Sequence, residues 1–481
     1  MNKALHLNLP SLKTNTTMEM HTEKAVDAIQ ERLTRYACNL SFDDLPADIV
    51  HAAKVRIIDT LGAMLGGFSA EPCRITRDFA ARRLMPDGAT ILGTRMKTTP
   101  DMAAFTNATT ARYAELNDIY QWPGSFGGHP SDTITPMLAA AEHAHADGRR
   151  FITGVVLAFE VYTRFSDIFH NGGFDAGTFC ALANAAGAGK LLGLSSDQFS
   201  HCIAMAIVPN NMLRQARYSH LTMWKVATAG QAGRAGVFAA LLAKAGMEGP
   251  HLPFEGKAGW CDHVARERFA LTEMGGKDTP FRIISTLIKP RPSSGPTIPS
   301  ILAAEKVAPL INVNDVQSIL VEVHRITMEF GARGRHFWTP ESRETADHSV
   351  PYVVACALID GTVTLRSFDD AHLWNPQLRA LMQKIEVVEN EEFTQAYDRQ
   401  PQQHRTRVTV VTTSGERFVG EVGTAQDSLG QHLDDAKIAA KFRGLAEDAL
   451  GTKRVDHILE MLWNLERIDD VCSIAPALVL L

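Results

Sequence analysis

Two stretches of small side chains constrain the fold of this chain more than any other feature of its sequence. Residues 175–192 contain the run A-L-A-N-A-A-G-A-G-K-L-L, and residues 227–246 are similarly rich in glycine and alanine. Small side chains let two helices approach closely, because the distance between helix axes depends on the side chains at the contact. The pattern therefore predicts two tightly packed helices, the first of which is central to a helical domain.

Apolar residues at helical spacing predict further helices on both sides of these runs. Near the start of the chain, Val26, Ile29, Leu33 and Ala37 recur with the period of one helix face. The other predicted helices cover residues 45–68, 100–118, 131–146, 151–169, Ser196–Ile207 and 434–481.

The pattern changes beyond residue 272. Residues 316–328 alternate between apolar and polar side chains, which predicts a half-buried strand. Residues 408–422 read as two strands around Ser414 and Gly415, a hairpin signal. Residues 350–358, which lie between them, are apolar enough for a buried helix. A mixed α+β region therefore interrupts the helices.

The composition is that of an ordinary globular protein, with 481 residues of which 45% are hydrophobic and 21% charged. The net charge of −6 and the lack of a basic patch argue against a nucleic acid or a membrane surface as partner. No apolar run approaches the roughly 20 residues of a membrane span. Residues 1–21 are polar and lack the apolar core of a signal peptide. We expect a disordered tail there and a cytoplasmic protein.

The seven cysteines are scattered, and none belongs to a C-x-x-C pair. An odd, dispersed set is typical of reduced, mostly buried thiols. It also lacks the close ligand spacing of iron–sulfur clusters and structural zinc sites. We therefore expect no metal.

One stretch combines several residues that can transfer protons. It contains Glu115, Asp118, a glycine-rich loop and His129, and it leads into a predicted helix. Ser131 or Asp132 can cap that helix, because their side-chain oxygens can accept unpaired backbone N–H groups. A helix N-terminus also attracts anions. The stretch therefore suits proton transfer next to a carboxylate. A capped loop with a structural histidine is the alternative.

Three cations, Arg214, Arg217 and Lys225, lie close to the second small-residue helix. In a chain with net negative charge, clustered cations beside an apolar helix suit an anionic ligand. The alternative is solvated surface charge.

A set of motifs in a fixed order resembles the MmgE/PrpD family, which includes 2-methylcitrate dehydratase, cis-aconitate decarboxylase and iminodisuccinate epimerase. The resemblance implies a mainly α fold, with a large helical domain over residues 22–275, a smaller α+β lid over 276–430, and C-terminal helices over 431–481 that return to the helical domain. It also implies a homodimer without metal or organic cofactor. The motifs are R-I-I-D-T-L-G, E-L-N-D, G-H-P-S-D, G-K-L-L-G-L-S-S, L-R-Q-A-R and D-H-S-V-P-Y-V-V-A-C-A-L-I-D-G.

The resemblance also points to site residues. Two departures from the family pattern weigh against a decarboxylase: Asp175 stands in the segment where decarboxylases carry a histidine, and a second family histidine is missing from the segment with Ser293, Ser294 and Thr297. We expect the catalytic residues to be Glu115, Asp118, His129 and Lys225, and the substrate-binding residues to be Ser131, Asp175, Arg214, Arg217, Ser294, His348 and Tyr352.

The predicted function is a cofactor-free lyase that removes a proton next to a carboxylate and expels a β-hydroxyl, most closely a 2-methylcitrate dehydratase. Asp118 or Glu115 would act as base and His129 as the acid for the hydroxyl, while Lys225 and the two arginines hold carboxylates of a small polycarboxylate. The alternatives are a dicarboxylate epimerase, a cis-aconitate decarboxylase and a non-catalytic paralogue.

Overall fold

The computed structural model of the protein describes residues 26–218, 220–271, 273–399, 402–424 and 434–480. The predicted disordered tail over residues 1–21 and the predicted boundary between residues 430 and 431 lie outside these ranges. No helix in the described ranges combines the length and apolar character needed to cross a membrane.

The elements from residue 28 to residue 287 form a helical core with four short strands around it. Strand β1 pairs with β2, and β3 pairs with β4, both antiparallel. The helices are α1 (Ala28–Asn39), α2 (Ala47–Gly67), α3 (Glu71–Ala80), α4 (Pro100–Tyr113), α5 (Ile134–His143), α6 (Gly148–Ile168), α7 (Gly177–Leu191), α8 (Ser196–Ile207) and α9 (Trp224–Lys244), and the strands are β1 (Leu84–Thr90), β2 (Lys97–Thr98), β3 (Ile119–Tyr120) and β4 (Thr286–Leu287).

Helix α9 packs closely on its neighbours through glycines on one face. A Cβ atom at Gly236 would lie 2.4 Å from the Cβ of Asn184 on α7, and one at Gly233 would lie 2.5 Å from the ring of Pro136 on α5. Neither position leaves space for a side chain. This packing holds α9 against α5 and α7. In the first turn of α9 the side chain of Lys225 is 1% exposed.

The second half builds a four-stranded sheet covered by helices. The strand order is β6-β5-β7-β8, in which β5 and β6 are parallel and the other neighbours antiparallel. The elements are α10 (Ile298–Val307), β5 (Val316–Val323), α11 (Arg325–Gly331), α12 (Arg335–Trp338), α13 (Arg343–Ala346), α14 (Val350–Asp360), α15 (Asp370–Leu373), α16 (Pro376–Met382), β6 (Ile385–Glu389), α17 (Glu391–Asp398), β7 (Thr406–Thr412) and β8 (Arg417–Val422).

Three C-terminal helices return to the helical core, namely α18 (Asp435–Leu450), α19 (Thr452–Trp463) and α20 (Ile474–Ala477). Phe442 and Ile458 belong to the same apolar cluster as the helices of the first half. A second apolar cluster begins at Ile301 and fills the space between the sheet, α10 and α14. The predicted fold class, a mainly α protein with a large helical part and a smaller α+β part, is confirmed.

Several predicted elements are longer than the observed ones. The helix predicted over 100–118 ends at Tyr113, because Glu115 adopts a left-handed backbone conformation with φ of 52°. The strand predicted over 316–328 ends at Val323, where its pairing with β6 and β7 stops. The predicted C-terminal helix is broken at Gly451, whose φ is 78°.

Candidate active site

The site is built around Glu115, which directly follows α4 and its C-cap residue. Its left-handed conformation, normally taken by glycine at the end of a helix, costs a non-glycine residue roughly 1 kcal/mol or more. The side chain is nonetheless buried, with 2% of its surface exposed. The surrounding contacts must therefore hold the carboxylate in place.

Three cations contact the Glu115 carboxylate. Arg112 donates to Oε2 at 2.7 Å, Lys289 to Oε1 at 2.7 Å, and the ammonium of Lys225 lies 3.1 Å from Oε2. Burial by itself raises the pKa of Glu115, but the three cations outweigh it and hold the pKa well below its usual value. Glu115 is therefore a fixed anion and a poor proton acceptor.

Lys289 comes to Glu115 from 174 positions later in the chain. The pairing of β3 with β4 brings the two segments together, since Ile119 pairs with Leu287. Burial lowers the pKa of Lys289 to about 8, and nearby Arg112 acts in the same direction.

Lys225 links the helical core to the α+β part. Its ammonium donates to Asp347 at 3.0 and 3.2 Å, and Asp347 lies directly after α13. Arg343 adds a second cation 3.5 Å from the Asp347 carboxylate. Burial raises the pKa of Asp347, but Lys225 and His348 more than offset this and lower it overall. Asp347 is thus a second buried anion. We refer to Glu115, Asp347 and the cations that contact them as the network, and these cations are Arg112, Lys225, Lys289 and Arg343.

His129 lies beside Glu115, with Nε2 4.0 Å from Oε1 of Glu115. Its Nδ1 lies 2.6 Å from the backbone carbonyl oxygen of Asp118. Since a carbonyl can only accept, Nδ1 carries the hydrogen and Nε2 is left as an acceptor. Burial, Arg112 and Lys289 lower the pKa of His129 well below its usual value. The neutral ring cannot donate from Nε2, so the geometry does not support the predicted role of His129 as an acid.

His348 is the second imidazole that contacts the network. Its Nδ1 lies 2.5 Å from Oδ1 of Asp347 and 3.4 Å from the ammonium of Lys225. Burial and Lys225 lower the pKa of His348, while Asp347 raises it in part. The side chain keeps 22% of its surface exposed, so the ring borders open space.

The predicted cap of α5 is wrong. Neither Ser131 nor Asp132 caps it, because residues Pro130–Thr133 form a separate 3-10 turn before α5 begins at Ile134. Instead, the backbone N–H of Ser131 donates to Oδ1 of Asp118 at 3.1 Å, and burial raises the pKa of Asp118. The turn therefore holds the Asp118 carboxyl, whose charged neighbours are Arg56 and Asp59, while the backbone carbonyl of Asp118 contacts His129.

Asp132 is a site residue that sequence reasoning considered only as a cap. Its Oδ1 lies 3.6 Å from Nε of Arg112, and 10% of its side chain is exposed. Burial raises the pKa of Asp132 to about 7, although Arg112 and Arg217 lower it. A carboxyl group with this pKa can give up a proton near neutral pH.

The two predicted arginines have different surroundings. Arg217 is already paired, since its Nε donates to Asp175 at 2.7 Å. Arg214 stacks on aromatic rings of both parts of the chain, 5.1 Å from the centre of Phe126 and 5.8 Å from that of Phe330. Among the residues that the structure describes, none forms an ion pair with Arg214.

Two predicted site residues have structural contacts. The Tyr352 hydroxyl donates to the carbonyl of Ser367 at 2.7 Å, and the residue is fully buried in the α+β core. The structure therefore does not bring Tyr352 to the network. Ser294 supports the network indirectly, because its backbone N–H donates to the carbonyl of Asp347 at 2.9 Å.

Four charged residues of the network were missed: Arg112, Lys289, Arg343 and Asp347. Arg112 lies in the last turn of α4, three positions before Glu115, a spacing that could have revealed it. Asp347 directly precedes His348, a predicted site residue, so its position in the D-H-S motif could have revealed it. Lys289 reaches Glu115 only through a contact between distant segments, which no local pattern indicates.

The donor set suits charged organic acids more than a metal ion. Each carboxylate of the network is already paired with cations. Within the described ranges, a potential metal-ligand group lies elsewhere: ligand atoms of His145, Asp470 and Cys472 fall within 4.8 Å of one another.

Comparisons with known proteins cover nearly the whole chain. The sequence model of the MmgE/PrpD N-terminal domain matches residues 31–271, and that of the MmgE/PrpD C-terminal domain matches residues 292–467. The 2-methylcitrate dehydratase of Salmonella typhimurium is 26% identical over 444 residues, which cover 86% of this chain and 89% of the relative. The mitochondrial 2-methylcitrate dehydratase of Yarrowia lipolytica is 26% identical, with 82% and 78% covered. The cis-aconitate decarboxylase of Aspergillus terreus is 25% identical, with 97% and 98% covered.

Proposed function

The chain belongs to the MmgE/PrpD family, as its motifs predicted, and from this premise we propose that it is a hydro-lyase acting on a small di- or tricarboxylate such as 2-methylcitrate. One observation carries the proposal. A buried network of cations and carboxylates contacts two imidazoles, and each of these has one ring nitrogen engaged and the other left to accept a proton.

The charge of the network favours a ligand with several carboxylates. Arg112, Lys225, Lys289 and Arg343 carry four positive charges, against two negative charges on Glu115 and Asp347 and at most one more on Asp132, whose pKa is about 7. An excess of positive charge in a region of low dielectric attracts anions and stabilises negative charge that develops during a reaction.

Arg214 is the cation best placed to bind a substrate carboxylate. Its guanidinium contacts Phe126 of the helical part and Phe330 of the α+β part, so it lies where the two parts meet. An arginine fork matches the geometry of a carboxylate and can bind it through two parallel hydrogen bonds. In this scheme Arg217 affects the substrate only through Asp175, because its guanidinium is already paired with that carboxylate.

The proposed reaction is an elimination of water. An imidazole Nε2 takes the proton from the carbon next to a substrate carboxylate, and the electron pair of that C–H bond forms the new C=C bond. The C–O bond to the β-hydroxyl breaks, and the hydroxyl leaves as water with the proton of Asp132. The cations of the network stabilise the negative charge that develops on the substrate carboxylate.

A second candidate function is the epimerisation of a dicarboxylate. It uses the same proton removal but returns a proton to the opposite face of the carbon, which needs two groups that exchange protons. The presence of two imidazoles in one site, His129 and His348, each with its Nδ1 engaged and its Nε2 available for a proton, is the observation that favours it.

Incubation of the purified protein with 2-methylcitrate, citrate, cis-aconitate and iminodisuccinate, in separate reactions in D₂O, distinguishes these functions. Absorbance of an unsaturated acid reports dehydration, loss of optical rotation reports epimerisation, and release of CO₂ reports decarboxylation. The Lys225→Met variant is the control, because it removes the cation that joins both carboxylates of the network. The absence of both turnover and deuterium uptake with all four acids would contradict the proposal. The protein would then be a non-catalytic paralogue.

A further inference from the structure

Two imidazoles with a free Nε2 contact the network, and their surroundings differ in one decisive respect. Nδ1 of His348 faces a carboxylate at 2.5 Å, whereas Nδ1 of His129 faces a backbone carbonyl at 2.6 Å. A carboxylate stabilises the imidazolium that forms when the ring accepts a proton, while a carbonyl dipole does so only weakly.

Neighbouring cations stabilise the negative charge of Asp347. Lys225 donates to both of its oxygens and Arg343 lies 3.5 Å away, so the carboxylate stays ionised inside the protein. Its backbone is also fixed, because the carbonyl of Asp347 accepts from the hydroxyl of Ser293 and from the N–H of Ser294. Asp347 therefore offers His348 a rigid anionic partner.

The tautomer of His348 follows from these contacts. The ammonium of Lys225 lies 3.4 Å from Nδ1, which is a longer contact than the 2.5 Å to Asp347. An ionised carboxylate can only accept, so Nδ1 carries the hydrogen and Nε2 is the basic nitrogen. No described residue bonds to this Nε2.

The surroundings of His129 disfavour the protonated form of its ring. Arg112 and Lys289 both disfavour the charged ring. Glu115, 4.0 Å away, is the opposing anion, but three cations already neutralise it. His129 is therefore suited to accept a hydrogen bond from a substrate hydroxyl, and less suited to hold a proton.

From this geometry we infer that the Asp347–His348 pair supplies the general base of the reaction. Nε2 of His348 takes the substrate proton as the catalytic residue, and Asp347 is the positioning residue that sets the tautomer and stabilises the imidazolium. The inference rests on the proposed function, because it assigns the proton removal that this function requires. It also gives the α+β part of the chain a direct share in the chemistry.

The test compares His348→Ala with His129→Ala and with His372→Ala, using the substrate found active. His372 is a matched control, because it is another histidine of the α+β part that lies near a carboxylate, 3.4 Å from Asp360. We expect His348→Ala to lose about 10²–10⁴-fold in both kcat and the exchange of substrate hydrogen with D₂O. Added imidazole restores part of the exchange, whereas His372→Ala behaves like the wild type.

Asp347→Asn gives a readout that a merely structural role would not change. The charged groups that act on His348 are Lys225 of α9, Asp347 and Glu115. Without the Asp347 charge the pKa of His348 falls, so the acid limb of the kcat profile moves to lower pH while kcat decreases. A fold check by circular dichroism accompanies each variant, and the imidazole rescue of His348→Ala covers the case in which Asp347→Asn does not fold.

The outcomes separate the inference from the function on which it rests. Full exchange and turnover by His348→Ala, together with their loss in His129→Ala, would overturn the inference and leave the hydro-lyase proposal standing. An unchanged pH profile in a folded Asp347→Asn would likewise overturn the role of Asp347. Inactivity of the wild type toward every acid tested would overturn both proposals.

Discussion

The ammonium of Lys289 lies 2.7 Å from the carboxylate of Glu115, and both side chains are almost fully buried. This ion pair connects the segment after α4 with the segment after β4. It places an ammonium group whose pKa is lowered to about 8 beside a carboxylate whose pKa lies well below its usual value. The pair therefore determines much of the charge of the candidate site.

Replacing Glu115 by glutamine leaves three buried cations without their common anion. Removing one partner of a buried ion pair typically costs about 3–5 kcal/mol, so we expect Glu115→Gln to lower the free energy of unfolding by about that amount in urea denaturation. Glu31→Gln is the control, because Glu31 forms an exposed pair with Arg35 at 3.1 Å, and such pairs contribute about 0–1 kcal/mol. Equal, small losses in the two variants would contradict the role of Glu115.

Lys289 makes the free energy of unfolding depend on pH in the alkaline range. Its pKa is about 8 in the folded protein, below the value of about 10.4 in an unfolded chain. Between these values the unfolded state holds a proton that the folded state has released, so the free energy of unfolding rises with pH through this window.

Comparison with Lys289→Met isolates this effect. We expect the unfolding free energy of the wild type, measured relative to Lys289→Met, to rise by up to about 2 kcal/mol from about pH 7 to about pH 9.5. A constant difference between the two proteins across this range would show that Lys289 keeps an ordinary pKa.

Arg214 is expected to control substrate affinity. A hydrogen bond to a charged group contributes about 1.5–3 kcal/mol, so Arg214→Ala should raise KM by about 10- to 100-fold and leave kcat nearly unchanged. Arg234→Ala is the control, because Arg234 is an exposed arginine on α9 that pairs with Asp101 at 3.5 Å. Steady-state kinetics with the active substrate measure both values, and a loss confined to kcat would contradict a binding role.

Two glycine variants test the close packing of α9. A Cβ atom at Gly236 would lie 2.5 Å from the backbone nitrogen of Ala185, so Gly236→Ala should destabilise the protein by about 1–3 kcal/mol. Gly444 lies within α18 and has open space around it, so Gly444→Ala should stabilise by about 0.5–1 kcal/mol. Thermal unfolding measures both, and a shift of the same sign in both variants would contradict this packing.

Local sequence patterns predicted much of the secondary structure. Helix α8 has the predicted bounds, Ser196–Ile207, because Ser195 and Gln198 form a capping box at its start. The hairpin of β7 and β8 turns at the predicted Ser414 and Gly415. Such signals lie within a few residues of the elements they define, so they are readable from the sequence alone.

The sequence by itself determined the helical periodicity, the position of the α+β region and several titratable residues of the candidate site: Glu115, Asp118, His129, Lys225 and His348. Only the tertiary structure decided what these residues can do. Two of the three cations on Glu115, Lys225 and Lys289, come from distant segments, and so does the Lys225 ammonium that pairs with Asp347 beside His348. The tautomer of His129 is fixed by a backbone carbonyl. Charge state depends on burial and on neighbours in space, and neither is written in the spacing of residues along the chain.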